Sequence, residues 1–105
     1  MQEQIQKTNV SKENKSLLML MNKKIEEYIF LDKSICIILE GSYMNCRNTI
    51  KIETYEIYED YISFIDENFE VHIKLNETTI ITYQENLEEY FKISQDGMKF
   101  YLYFI

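Results

Sequence analysis

Proline, tryptophan and alanine are absent from this 105-residue chain, glycine occurs twice and histidine once. Each scarcity removes a class of chemistry. Phosphate-cradling loops need several closely spaced glycines, whereas Gly41 and Gly97 stand far apart, each beside a turn, so P-loop and dinucleotide fingerprints are excluded. His72 is the one side chain able to serve as the base of a nucleophilic triad, and it sits between Glu70 and Lys74 on the polar side of an alternating segment. Cys36 and Cys46 form no CxxC pair, and no second histidine completes a usual zinc set. No catalytic residue, metal or cofactor is assigned.

Long apolar runs are missing too, and the first ten residues, MQEQIQKTNV, are polar, so neither a membrane span nor a secretory signal is read. A cytoplasmic location follows as the expectation, and with it two free thiols. Bases are outnumbered by acids, 11 to 18, for a formal charge of −7. Affinity for nucleic acid comes largely from Lys and Arg displacing condensed counterions, so direct nucleic-acid binding is not expected. The preference for Lys over Arg fits A- and T-rich codons, as in a low-GC bacterium or one of its phages or mobile elements.

What is present is a folded chain. With 46% hydrophobic residues, nine Tyr and six Phe, it has the means to bury one core, and its length allows only one. Residues 1–10 read as a polar leader and 11–105 as a single α+β domain. Ser11 is placed to cap a helix over about 11–31. Its stripe runs Leu18, Met21, Ile25 and Tyr28, with Lys23, Lys24, Glu26 and Glu27 opposite, which predicts a helix packed on a sheet. The same four apolar residues define the face through which two copies would self-associate.

From Ser34 the period changes to two, and antiparallel strands are expected to the end of the chain. Ile35–Leu39 is continuously apolar, the pattern of a central strand covered on both faces. Gly41 and the segment Asn45–Asn48 read as a loop. Thr49–Tyr58 reads as one strand whose phase slips near Thr54, suggesting a bulge or bend. Tyr61–Ile65, Phe69–Leu75 and Thr78–Tyr83 follow as strands, with a polar connection over Gln84–Glu89. Asp96-Gly97 is the dipeptide a type I′ turn favours, and it sets a C-terminal hairpin pairing Ile93 with Phe100, Phe91 with Leu102, Lys92 with Tyr101 and Tyr90 with Tyr103. Phe91, Ile93, Met98, Phe100, Leu102 and Phe104 then face the core. Tyr90, Tyr101 and Tyr103 make an aromatic patch on the other face, to be covered by the helix or by a partner. The expected architecture is a helix on a strongly bent antiparallel sheet, or small open barrel, of about five to six strands.

The charge is unevenly divided. Residues 1–33 hold six Lys and five acids, +1, whereas residues 34–105 hold five bases and thirteen acids, −8. Glu53, Glu56, Glu59, Asp60, Asp66, Glu67 and Glu70 lie in a stretch free of Lys and Arg between Lys51 and Lys74, with Tyr55, Tyr58 and Tyr61 interleaved. A solvated face that keeps strand edges unpaired explains such acids without any function. A docking surface for a basic partner explains them together with the tyrosines, which would supply buried anchors. Same-face residues of a strand lie about 6.6–6.8 Å apart, close to the phosphate spacing of a nucleic-acid strand, so an acidic strand edge can imitate a backbone.

Three functions are therefore ranked. First is a non-catalytic interaction module docking on a basic surface of another protein, such as a nucleic-acid-binding protein; in size and charge the chain is similar to small acidic inhibitors carried by phages, anti-CRISPR proteins among them. Second is a structural or oligomeric small barrel, since one helix followed by about five strands is similar to the element order of Sm-like proteins. It would assemble through its helix or edge strands, a homodimer being the simplest form. An enzyme acting on a small molecule ranks third, because no candidate residues fall into a known catalytic spacing.

Overall fold

The structure, a computed structural model, describes residues 12–42 and 45–104, so the expected polar leader and the Ser11 cap lie outside the described residues. In chain order the elements are α1 (Lys12–Phe30), β1 (Ile35–Glu40), β2 (Asn45–Ile50), β3 (Thr54–Tyr58), β4 (Tyr61–Asp66), β5 (Phe69–Lys74), β6 (Ile80–Gln84), β7 (Glu89–Gln95) and β8 (Met98–Phe104). The helix, the antiparallel strands and the closing hairpin are those expected, but among the described residues the strands number eight and divide into two sheets. One has the order β2-β1-β8-β7-β6 and the other β3-β4-β5, and they do not close into a barrel.

The helical stripe meets the core as its spacing requires: Leu18, Met21 and Ile25 are buried, and Asn14, four residues before Leu18, is buried with them. Tyr28 is half-buried and meets Phe104 edge-on, with ring centroids 5.1 Å apart. The face considered for self-association is thus packed against the protein's own large sheet. The helix ends in a Schellman arrangement, with Lys33 N–H donating to Tyr28 C=O and Asp32 N–H to Ile29 C=O, and Asp32 takes φ 56° where glycine is usual.

β1 is an interior strand between β2 and β8, with Ile35, Cys36 and Ile37 all buried, as a continuous apolar run implies. Asn45–Asn48 is strand rather than loop. It reads as polar because β2 is an edge of the large sheet, with exposed Asn45, Arg47 and Thr49 alternating with Cys46, Asn48 and Ile50. The phase slip near Thr54 is neither bulge nor bend within one strand: β2 ends at Ile50, and β3 begins at Thr54 in the other sheet. Ile52, buried in the crossing, fastens it to the core. Cys36 and Cys46 are free, and the register points them to opposite faces of the β1–β2 pair.

The hairpin has the expected register throughout, and Asp96 and Gly97 adopt φ 46° and 77°, both positive as a type I′ turn demands. The core fills the space between the sheets. Phe64 of β4 stacks on Phe100 of β8 at 6.0 Å and 4°, joining the two layers. The helix runs beside β6 and β3 and covers one side of this sandwich.

Candidate functional site

The acidic stretch forms the small sheet. Its strands pair so that Thr54, Glu56 and Tyr58 of β3, Tyr61, Ser63 and Ile65 of β4, and Glu70, His72 and Lys74 of β5 share one outer face. The alternate residues, Tyr55, Ile57, Ile62, Phe64, Val71 and Ile73, line the core. Of the three interleaved tyrosines, Tyr58 and Tyr61 stand on the outer face and Tyr55 turns inward, half-buried, where burial above all raises its hydroxyl pKa.

The seven carboxylates all belong to this sheet and its approaches, in three places. Glu56 and Glu70 lie on the outer face itself. Glu59 and Asp60 form the two-residue turn between β3 and β4. At the opposite end, Glu67 occupies the β4–β5 turn beside half-buried Asp66, and Glu53 precedes β3, donating its N–H to Ile65 C=O. Two of them have charged or chargeable neighbours: Lys15 of the helix lies 3.3 Å from Glu59, and His72 Nε2 lies 3.4 Å from Glu70. Glu56, Glu59, Asp60, Glu67, Glu70 and Glu53 are exposed.

His72 is also bound on its other ring nitrogen, where Nδ1 meets the Tyr61 hydroxyl at 2.5 Å. Tyr58, Tyr61 and His72 stack in succession, with centroids 6.4 and 6.0 Å apart and planes 19° apart. Ser63 stands directly between Glu56 and His72 in the ladder, yet both histidine nitrogens are engaged elsewhere and Ser63 Oγ is buried without a partner. Ser63 is therefore not aligned on His72 in the manner of a serine triad; the hydroxyl that meets the imidazole is that of Tyr61. Among the described residues no group of three His, Cys, Asp or Glu side chains is placed to hold a metal, and no helix is long and apolar enough to cross a membrane.

Beside the β3 edge lies a groove of about 500 Å³ between helix and small sheet, lined by Lys15, Leu18, Met19, Asn22, Ile57, Tyr58 and Glu59. Met19 and Tyr58 on its walls are 75% and 57% exposed, high values for large apolar side chains. Met19 falls off the buried stripe, a signal present in the sequence. That β3 would lie alongside the helix to make a groove of it depends on tertiary packing, which local periodicity does not record.

The chain matches no known family model, no curated protein and no solved structure.

Proposed function

We propose that the protein is a non-catalytic interaction module whose small sheet docks on a basic surface of a partner protein, such as one that binds nucleic acid. The observation that carries this reading is the groove beside β3. Its exposed Met19 and Tyr58 offer an anchor site for an apolar side chain, and Glu56 and Asp60 set negative charge beside Tyr58, with Glu59 paired to Lys15 on the rim. An apolar centre with a charged rim is the arrangement in which anchors supply affinity and charges supply association rate and partner choice. Cationic side chains flanking an apolar residue are the complementary partner chemistry. A nucleic-acid-binding groove has the cations, so an inhibitor or nucleic-acid mimic of phage or mobile-element type is the form of the proposal that size and charge favour.

The test is association with a partner recovered by crosslinking and identified, measured across a range of salt. Glu56→Lys with Asp60→Lys is expected to slow association and flatten its salt dependence, and Met19→Asp to speed dissociation. A nucleic-acid ligand of that partner should compete with the protein. Unchanged association by the double charge reversal would reject the docking surface.

A further inference from the structure

The opposite side of the sandwich has the reverse character. In the five-stranded sheet the register brings Asn45, Arg47 and Thr49 of β2, Cys36, Ile38 and Glu40 of β1, Lys99, Tyr101 and Tyr103 of β8, Tyr90, Lys92 and Ser94 of β7, and Ile80, Thr82 and Gln84 of β6 onto one outer face. Three of the five cations in residues 34–105, Arg47, Lys92 and Lys99, are here, including the chain's single arginine, against one carboxylate, Glu40. Glu88 borders the patch near Tyr103. The helix does not cover this face, because it packs on the other side, where Tyr28 meets Phe104.

Three tyrosines occupy the middle of the face as a continuous aromatic surface. Tyr90 and Tyr103 have centroids 4.8 Å apart, Tyr101 lies 6.1 Å from each, and the Tyr101 and Tyr103 planes are within 20° of parallel. Lys92 Nζ sits 5.8 Å from the Tyr101 ring centroid. Along β8 the outward residues are Lys99, Tyr101 and Tyr103, a cation followed by two rings at the two-residue period of the strand.

We propose that this face binds single-stranded nucleic acid, with bases stacked on Tyr90, Tyr101 and Tyr103 and phosphates held by Arg47, Lys92 and Lys99. The cations alone would suit any anion. The rings favour nucleic acid, because every base has a π-face for them to stack on, whereas the carboxylate side chains of an acidic peptide have none. The overall charge of −7 misdescribes this surface, since the acids of positions 53–70 belong to the other sheet. Packed sheets lie about 10 Å apart, so the two outer faces are separated by more than the Debye length of about 8 Å at physiological salt. The small sheet's repulsion is therefore screened there but felt in very dilute salt, where the Debye length reaches about 30 Å. Affinity should accordingly pass through a maximum as salt rises, rather than fall throughout as it does for a uniformly basic protein.

The probe is a dye-labelled oligothymidylate followed by anisotropy, with tyrosine emission read in parallel. Saturable binding with tyrosine quenching is expected at about 0.1 M salt. Arg47→Glu and Lys99→Glu, both at exposed positions, should weaken it while leaving the melting transition in place. Tyr101→Ala should lose at least about fivefold, and Tyr101→Phe, which keeps the ring, should lose little. Absence of saturable binding would overturn the proposal. So would wild-type affinity in the charge-reversed variants, or polyglutamate competing as well as the oligonucleotide, which would mark a general anion site. The proposal stands apart from the docking reading, because Glu56→Lys and Asp60→Lys alter the other sheet and should strengthen oligonucleotide binding in dilute salt.

Discussion

Asn14 of the helix and Ile81 of β6, 67 residues apart, are joined by a hydrogen bond from Ile81 N–H to Asn14 Oδ1 at 3.1 Å, while Asn14 Nδ2 donates to Thr79 C=O at 2.9 Å. One side-chain amide thus supplies an acceptor and a donor to the free edge of the large sheet, as a neighbouring strand would. Both bonds are buried, so Asn14→Ala would orphan an N–H and a carbonyl together. A loss of about 2–4 kcal/mol is expected from two such groups at about 1–3 kcal/mol each, with partial relaxation. Urea denaturation measures it. A loss under about 0.5 kcal/mol would mean that water satisfies the edge equally well.

Asp32 holds a left-handed conformation at the end of α1 that an L-residue adopts at some cost. Its ion pair with Lys51, 3.2 Å long and between exposed groups, offers little in return. Asp32→Gly should therefore stabilise the protein by about 0.5–1 kcal/mol, visible as a higher melting temperature. A lower melting temperature would show that the Asp32 side chain contributes more than its backbone costs.

What could be read in the sequence was whatever repeats locally. The helix, the hairpin register around Asp96-Gly97 and the inward set Phe91, Ile93, Phe100 and Leu102 follow from period and turn chemistry, which neighbouring residues decide among themselves. The division into two sheets was not legible, because the change of side at Ile52 looks the same in sequence whether a strand bends or the chain leaves for another layer. β2 was obscured by its edge position, where Asn45, Arg47 and Thr49 suit solvent on one side and the segment reads as loop. For the candidate surfaces, the run of carboxylates was evident, but its distribution over a face and two turns was not. The inward rotation of Tyr55 and the approach of Lys15 to Glu59 are products of packing. The basic face was only half legible, since Lys92 and Lys99 belong to the hairpin read from Asp96-Gly97, whereas Arg47 is brought beside them from β2, far off in sequence.

Ser63 is 1% exposed and its Oγ has no hydrogen-bond partner, although the residue stands on the outward side of β4 between two exposed side chains, Glu56 and His72. A hydroxyl withdrawn from water without compensation costs about 1–3 kcal/mol. Ser63→Ala removes the hydroxyl and keeps the backbone, so stability should rise by about 0.5–2 kcal/mol in urea denaturation. A clear loss of stability would show that the hydroxyl is bonded in solution, for instance after rotation of His72 or Glu56.

Lys24, Glu89 and Tyr83 form a half-buried cluster in which Glu89 receives the Lys24 ammonium at 2.5 Å and the Tyr83 hydroxyl on the same Oε2 atom. Burial, reinforced by the hydrogen bond and charge of Glu89, pushes the Tyr83 hydroxyl up to about 12. The hydrogen bond to Glu89 raises Lys24 in spite of burial. Burial pushes Glu89 upward, but its bonds to Lys24 and Tyr83 outweigh that and leave it below the ordinary carboxylate range. Tyr83 and Lys24 therefore hold their protons more tightly in the folded chain than in the unfolded one. Their contribution is complete below their unfolded pKa values of about 10 and 10.4, and is lost as pH rises through the folded values. Glu89 has the opposite sign, contributing above its unfolded pKa of about 4.3 and losing that contribution as pH falls through its lowered folded value. The melting temperature should thus decline from about pH 10 upward, and Tyr83→Phe should be less stable at neutral pH yet show a shallower alkaline decline. Melting curves of the two proteins at stepped pH decide it. Parallel alkaline declines would place the titration elsewhere, among the remaining tyrosines and lysines.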